Sequence, residues 1–234
     1  MSELSQAPAI ALHLLVSLEP ELLEIIGLSL RVSLAATLLA ALIGLPLGAA
    51  VAVYRFPGRS VLAALLNAMM GLPPVVVGLA VYLLLSRAGP LGDLGLLFTP
   101  RAMIIAQCIL ITPLIAALAR QTIADRHRVC REQLEVLNTS RAVMVWTLLR
   151  DCWRSLGTSV LAGFGRAVAE VGAVIIVGGN IKGVTRVMTT TIALETSMGN
   201  LALAMALGLV LLTIAVSINL LASILQRASE GGDD

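Results

Sequence analysis

The chain has 234 residues, of which 58% are hydrophobic and only 13% are charged, with a net charge of +2. In soluble domains about a quarter of the residues are charged, so this composition excludes an ordinary soluble protein. The apolar stretches are continuous rather than alternating, and backbone groups inside a bilayer must be hydrogen-bonded within the protein. The sequence therefore predicts an all-α, polytopic membrane protein.

Residues 1–23 precede the first long apolar stretch. This N-terminus lacks the basic residues of a secretory signal, and its apolar part, Ala9–Leu18, is too short to span a bilayer. We predict an extracytoplasmic or interfacial segment that is interrupted near Pro20.

Five stretches are long enough to cross a bilayer as helices. They cover residues 25–54, 60–86, 102–119, 156–177 and 201–224.

The second stretch is interrupted by Pro73 and Pro74. Proline removes a backbone donor and clashes with the preceding turn, so a break in the helix is expected there. Broken backbone survives at membrane depth only when it is buried in protein or lines a cavity. Two interpretations stand: a packing kink, or a helix break that contributes to a translocation path or gate.

Basic residues are distributed unevenly around these stretches. With the N-terminus outside, ten of the sixteen Lys and Arg residues fall in cytoplasmic segments, four outside and two within spans. Cytoplasmic loops of membrane proteins carry an excess of Lys and Arg. The sequence therefore predicts an external N-terminus and a cytoplasmic C-terminus, with residues 226–234 as an acidic cytoplasmic tail.

The connection 120–155 is unusually charged. It carries seven of the sixteen basic residues together with an apolar stripe that includes Leu137, Val143 and Trp146. This composition suits short amphipathic helices that bind a protein partner. A helix held on anionic lipid is an equally supported alternative.

Arg166 and Glu170 lie four residues apart within the fourth stretch and therefore share one helical face. Ionisable groups at membrane depth are costly and usually face a bundle interior or a pathway. They form either a gate in a path or a structural pair that holds two halves of the protein together. The outer loop carries Lys182 and Arg186, which suit an anion station, a docking face or a solvated loop.

The sequence has no GxxxxGK[ST] motif, and its one lysine, Lys182, lies on the predicted outer side. We therefore expect that any ATP hydrolysis, with its Mg²⁺, would be carried out by another chain. We also expect no catalytic residues, no metal site, no bound cofactor and no nucleic-acid partner.

The run EQLEVLNTS, residues 132–140, resembles the EAA signature of ABC-importer permeases. That signature is an acidic residue followed six positions later by a Gly-Ala pair. Glu132 matches the acidic residue, whereas Asn138 and Thr139 replace the pair; asparagine is the non-glycine residue that best tolerates a left-handed turn. In that family the loop forms a coupling helix in a cleft of the ATPase. The resemblance implies this role for the following residues: Glu132, Glu135, Asn138, Thr139, Ser140 and Arg141.

Further stretches resemble permeases for small oxyanions. Leu72–Gly78 is similar to molybdate, sulfate and tungstate permeases, and Ser86–Gly92, Leu97–Pro100 and Ala169–Thr190 are most similar to tungstate permeases. The resemblance covers residues 24–225. It implies a type I importer fold and a permease homodimer in the cytoplasmic membrane of a prokaryote, with two ATPase subunits and an extracytoplasmic binding protein. The alternatives are a molybdate or sulfate permease, an ATP-independent anion channel or carrier, and an intramembrane enzyme.

Overall fold

The computed structural model describes residues 19–129 and 140–230. Within these ranges the regular elements are nine α-helices and one short 3₁₀ turn, Gly92–Leu94, without any strand. The helices in chain order are α1 (Pro20–Val53), α2 (Arg59–Met69), α3 (Pro74–Leu85), α4 (Pro100–Val129), α5 (Arg141–Asp151), α6 (Trp153–Val168), α7 (Gly172–Gly178), α8 (Met188–Met198) and α9 (Leu201–Glu230). The all-α prediction is confirmed.

The number of membrane spans also agrees with the sequence. Helices α1, α4 and α9 are each long and apolar enough to cross a membrane alone. The pairs α2–α3 and α6–α7 are each interrupted by a short break, and the total is five if each pair is one span. The bounds differ from the prediction, because α1 begins at Pro20 rather than near residue 25, and α4 continues to Val129 rather than ending near residue 119.

Proline and glycine set several helix ends. Pro20, Pro74 and Pro100 each occupy the first helical position, where the missing N–H costs nothing and the fixed φ suits the helix. Pro74 therefore starts α3 and does not kink a continuous helix. Helix α7 is terminated by its C-cap residue Gly179, whose φ of 71° is left-handed. A Cβ at Gly179 would also lie only 2.8 Å from Cδ1 of Phe98.

Helix α8 was not among the predicted elements. Its residues include the buried polar side chains of Thr189, Thr190, Thr191 and Glu195, so hydropathy gives no signal for it. The hydroxyl of Thr191 donates to the carbonyl of Val187 at 2.7 Å. Internal hydrogen bonds of this kind make the burial of threonine hydroxyls acceptable.

The chain folds as two compact units, each discontinuous in sequence. The first, unit 1, extends to Ala36 and includes Pro73–Gln107 and Arg166–Ser217. In unit 1, α3 packs closely on α7, because a Cβ at Gly78 would lie 2.7 Å from Cα of Ala173. This approach requires a glycine on α3.

Unit 2 comprises Thr37–Leu72, Cys108–Gly165 and the chain from Ile218 onward. Its core joins α1, α4, α5 and α6 through buried apolar residues that include Ile123, Leu148 and Leu156. Small residues let the backbones of α1 and α4 approach closely in an environment where no hydrophobic force drives helix association.

Arg59 closes the C-terminal end of α1 within unit 2. Its Nε donates to the carbonyl of Val51 at 2.7 Å, and its Nη2 donates to the carbonyl of Ala52 at 2.8 Å. The last carbonyls of a helix have no partner within the helix. The guanidinium group therefore supplies hydrogen-bond donors to two carbonyls that have no partner within the helix.

We predict that Gly48→Ala destabilises the protein, because the new Cβ would overlap the carbonyl oxygen of Ala116 on α4. The expected loss is about 1–3 kcal/mol, as for other overpacked helix contacts. Unfolding of the purified chain in mixed detergent micelles measures it. Gly27→Ala is the matched control on the same helix, since no atom lies within 4 Å of its Cβ position. Equal stability of the two variants would contradict this packing.

Candidate functional site

The break between α6 and α7 in unit 1 is held together by Glu170. Its carboxylate Oε1 accepts a hydrogen bond from the N–H of Ala173 at 3.2 Å, which caps the start of α7. Its carbonyl accepts from the hydroxyl of Thr189 at 2.8 Å, and its N–H donates to the carbonyl of Ala167 at 3.2 Å. Glu170 is therefore a hydrogen-bonded part of the backbone junction, and its side chain is only 7% exposed.

Arg166 differs from Glu170 in its surroundings. The Nε of Arg166 lies 4.0 Å from Oε2 of Glu170, at the limit of an ion pair, and 44% of the arginine side chain is exposed. Helix α6 ends at Val168, so the continuous helix that would align the two residues does not extend to Glu170. The predicted pair is present only at its distance limit, whereas one carboxylate oxygen and the main chain of Glu170 form hydrogen bonds within the junction.

A small polar cavity lies beside this junction. It has a volume of about 10 Å³, near the lower limit for one water molecule, and is lined by Ser29, Ser33, Gln107, Glu170 and Thr189 among others. The amide Nε2 of Gln107 donates to the carbonyl of Ala167 at 3.0 Å. Within the described part of the chain its buried Oε1 has no hydrogen-bond partner, so the junction retains one unused acceptor.

The structure brings the two predicted path elements together in unit 1. A Cβ at Gly172 would lie 2.8 Å from Cγ2 of Val75, 3.5 Å from the backbone nitrogen of Val75 and 3.6 Å from Oε1 of Glu170. Val75 directly follows Pro73 and Pro74, so the start of α3 and the start of α7 meet beside Glu170. The two helix breaks therefore form one local feature.

The outer-loop cations meet acidic residues that the sequence analysis did not assign. Lys182 Nζ lies 2.7 Å from Oε1 of Glu21, and Arg186 Nη1 lies 4.0 Å from the same oxygen. Arg186 is only 17% exposed, and its buried Nε has no partner among the described residues. A cavity of about 20 Å³ next to them is lined by both cations and by Glu21 and Glu24. The negative charges of Glu21 and Glu24 offset the positive charges of Lys182 and Arg186 that would otherwise attract an anion.

The predicted coupling loop lies mostly outside the described residues. Glu132, Glu135, Asn138 and Thr139 belong to that part of the chain. Ser140 is the N-cap of α5 and accepts a hydrogen bond from the N–H of Val143 at 3.4 Å.

The elements on both sides of that loop are fixed to each other within unit 2. Arg141 is the first residue of α5 and is exposed. The Nε of Arg126 on α4 lies 2.8 Å from Oδ2 of Asp151 on α5. Met144 and Leu148 on the buried face of α5 belong to the same core as Ile123 of α4. A force on the loop would therefore reach α4 and α5 together.

Residues 44–231 match the sequence profile of the family described as binding-protein-dependent transport system inner membrane component. The chain belongs to this family. It is a multi-pass membrane component of a transport system, which agrees with the fold predicted from the EAA-like loop and the five apolar stretches.

Three relatives are similar over most of the chain. A tungstate uptake system permease protein TupB of Peptoclostridium acidaminophilum is 43% identical over 93% of this chain and 95% of its own. A probable anion ABC transporter permease protein of Haloferax volcanii is 38% identical over 90% of this chain and 93% of its own. The TupB of Campylobacter jejuni is 38% identical over 74% of this chain and 73% of its own.

Three residues of these sites, Glu21, Gln107 and Thr189, were not predicted from the sequence. Glu21 lies in the first turn of α1, where acidic residues are common because of the helix dipole, so its pairing with the outer loop had no separate signal. Gln107 and Thr189 are uncharged and distant in sequence from Ala167 and Glu170. Only the folded arrangement reveals their contacts.

We predict that Glu170→Ala lowers the free energy of unfolding by about 1–3 kcal/mol, because it leaves the N–H of Ala173 without a partner in a buried junction. Glu170→Gln should cost less, since its amide oxygen can still accept that bond. Arg166→Gln should change stability little. Unfolding of the three purified variants in mixed micelles measures these differences. A loss for Arg166→Gln equal to that for Glu170→Ala would mean that the ion pair itself is structural.

Proposed function

We propose that this chain is the permease subunit of an ATP-driven importer for a small tetrahedral oxyanion, with tungstate as its substrate. The observation that carries the substrate is the 43% identity, over 93% of the chain, with a protein described as a tungstate uptake permease. The relative described as an anion ABC transporter permease supports the broader class of substrate.

Arg166 supports an anion path. A charged side chain at membrane depth is tolerated when it faces a protein interior or a water-filled cavity. Glu170 spends its hydrogen bonds on the helix junction, and much of Arg166 remains exposed on the single chain. In the proposed homodimer, Arg166 of each copy lines a shared path beside the break that begins at Pro73 and Pro74. One cation per copy attracts the anion without a closed cage, so release remains fast.

The proposed source of energy is a pair of separate ATPase subunits, because this chain has no phosphate-binding loop. The coupling loop, including Glu132, Glu135, Asn138 and Thr139, docks into them on the cytoplasmic side. Ser140 and Arg141 continue this surface at the start of α5. The Arg126–Asp151 pair and the shared core carry the motion of the docked loop into α4 and α5, which biases a two-state helix bundle between outward and inward access.

The outer loop fits a docking role better than an anion station. Glu21 pairs with Lys182 directly, and Glu24 lines the same cavity as Arg186, so an oxyanion would meet two carboxylates there. A mixed-charge surface suits complementary contacts with an extracytoplasmic binding protein. This assignment places the N-terminal end of α1 outside and follows the orientation predicted from the positive charges.

We predict ATP-dependent uptake of radioactive tungstate by vesicles that contain the chain, its ATPase and its binding protein. Arg166→Gln should lower the uptake rate about tenfold, equivalent to about 1.4 kcal/mol, because the path loses its cation. Arg101→Gln removes an exposed cation at the start of α4 and is the matched control.

Three results would contradict parts of this proposal. Uptake without ATP would indicate a channel or carrier. Normal uptake by Arg166→Gln would remove this residue from the path. Equal competition by excess molybdate or sulfate would leave an oxyanion importer without a preference for tungstate.

We also predict that Glu132→Arg combined with Asn138→Glu abolishes co-purification of the ATPase subunits, because both changes alter the charge of the docking loop. Asp93→Arg is the control, since it reverses an exposed charge in the 3₁₀ turn on the predicted outer side. Affinity purification from detergent extracts measures the ratio of ATPase to permease. An unchanged ratio in the double variant, with normal uptake, would show that this loop does not dock the ATPase.

A further inference from the structure

A groove of about 700 Å³ lies within unit 2, between α1 and the segment formed by α5 and α6. Its lining is almost wholly apolar, with Leu38, Leu42 and Leu45 of α1 on one side. The volume falls in the range of about 300–1,000 Å³ that accommodates a drug-sized apolar ligand. The groove includes neither the proposed path residues nor the coupling residues 132–141, but its Trp146 belongs to the apolar stripe that suits either a protein partner or anionic lipid.

The other side of the groove has a different character. It includes Trp146 and Trp153, which are 70% and 60% exposed although they are the only tryptophans of the chain. Exposed tryptophans in membrane proteins concentrate at the boundary between lipid tails and headgroups. Trp153 begins α6, where the charged connection gives way to an apolar helix, so the sequence also places this side at such a boundary.

Two arginines accompany the tryptophans. Arg150 lines the groove and is exposed, and it forms no ion pair within the part of the chain that the structure describes. Arg154 stacks over Trp153, with 5.4 Å between Cζ and the ring centroid. A guanidinium group is a preferred partner for phosphate, since its planar fork offers paired N–H donors. The groove therefore combines an apolar wall with a cation at its polar edge.

We propose that this groove binds an anionic phospholipid, with an acyl chain against the leucines of α1 and the headgroup phosphate at Arg150. The net negative charge of the lipid is the feature that the exposed Arg150 selects. A zwitterionic lipid offers the same phosphate but brings its own cation, so it gains less from this site. The inference does not depend on which oxyanion is transported.

Two protein occupants fit the groove less well. A second copy of the chain that met this surface symmetrically would cover Arg150 of both copies with a groove lining that contains no carboxylate to pair with it. The N-terminal residues 1–18 are apolar in part, but they contain only one carboxylate, Glu3, which cannot balance two arginines. The charge of the groove edge favours a lipid anion over both.

Intrinsic fluorescence tests the proposal directly, because every tryptophan of the chain lines the groove. The full-length chain is reconstituted into phosphatidylcholine nanodiscs that contain increasing fractions of lipid with brominated acyl chains, which quench tryptophan on contact. The brominated lipid is phosphatidylglycerol in one series and phosphatidylcholine in the other. We expect half-maximal quenching at a roughly fivefold lower fraction of phosphatidylglycerol, as expected for one arginine at a membrane surface.

Variants assign the preference to the groove edge. Arg150→Gln should abolish it and Arg150→Lys should retain most of it, since the positive charge remains. Arg55→Gln, an exposed arginine of unit 2 that does not line the groove, should leave it unchanged. High salt should weaken the preference of the unaltered protein through screening.

Several outcomes would overturn the proposal. Equal quenching by both lipids would show ordinary contact with the bilayer, and no quenching by either would show that protein covers the groove. A preference that survives Arg150→Gln would place the headgroup elsewhere. Equal quenching of the unaltered chain by the two lipids overturns the proposal even if a variant fails to fold.

Discussion

The structure depends on one constraint: backbone groups at membrane depth must find hydrogen-bond partners within the protein. The long helices meet it by their own regularity, but the break between α6 and α7 cannot. There Glu170 supplies a carboxylate to α7, and its own main chain bonds to Thr189 and Ala167. Gln107 donates to the carbonyl of Ala167 at the end of α6. The helix can stop inside the bundle because these polar groups replace the missing helical bonds.

This use of Glu170 determines what Arg166 can do. One oxygen of the carboxylate accepts the N–H of Ala173, and the other lies 4.0 Å from the Nε of Arg166, at the limit of an ion pair. The spacing of four residues indicated a symmetric ion pair only on the assumption of a continuous helix. Because α6 ends at Val168, the two residues are divided between different tasks: one is buried and structural, and the other remains exposed on the single chain.

Hydropathy predicted the membrane class, the number of spans and the interruption at Pro73 and Pro74, because burial in lipid demands long apolar segments and proline has a fixed geometry. It did not predict α8, whose buried threonine hydroxyls bond partly within the helix, as Thr191 does to Val187, and partly to other elements, as Thr189 does to Glu170. The pairing of Glu21 with Lys182 was equally inaccessible, since their separation in sequence carries no periodic signal. The candidate path residues could be named from sequence, but their separate surroundings required the fold.

The contacts of Arg59 show that a single side chain can carry two kinds of information. Its positive charge counts toward the orientation in which the chain inserts, and any basic residue would contribute that. Its planar fork also holds the carbonyls of Val51 and Ala52, which a lysine cannot grip in the same two-point way. A change from arginine to lysine here would preserve the positive charge and therefore the direction of insertion. It would weaken the connection between the first two helices, and a topology prediction based on charge alone would not detect that loss.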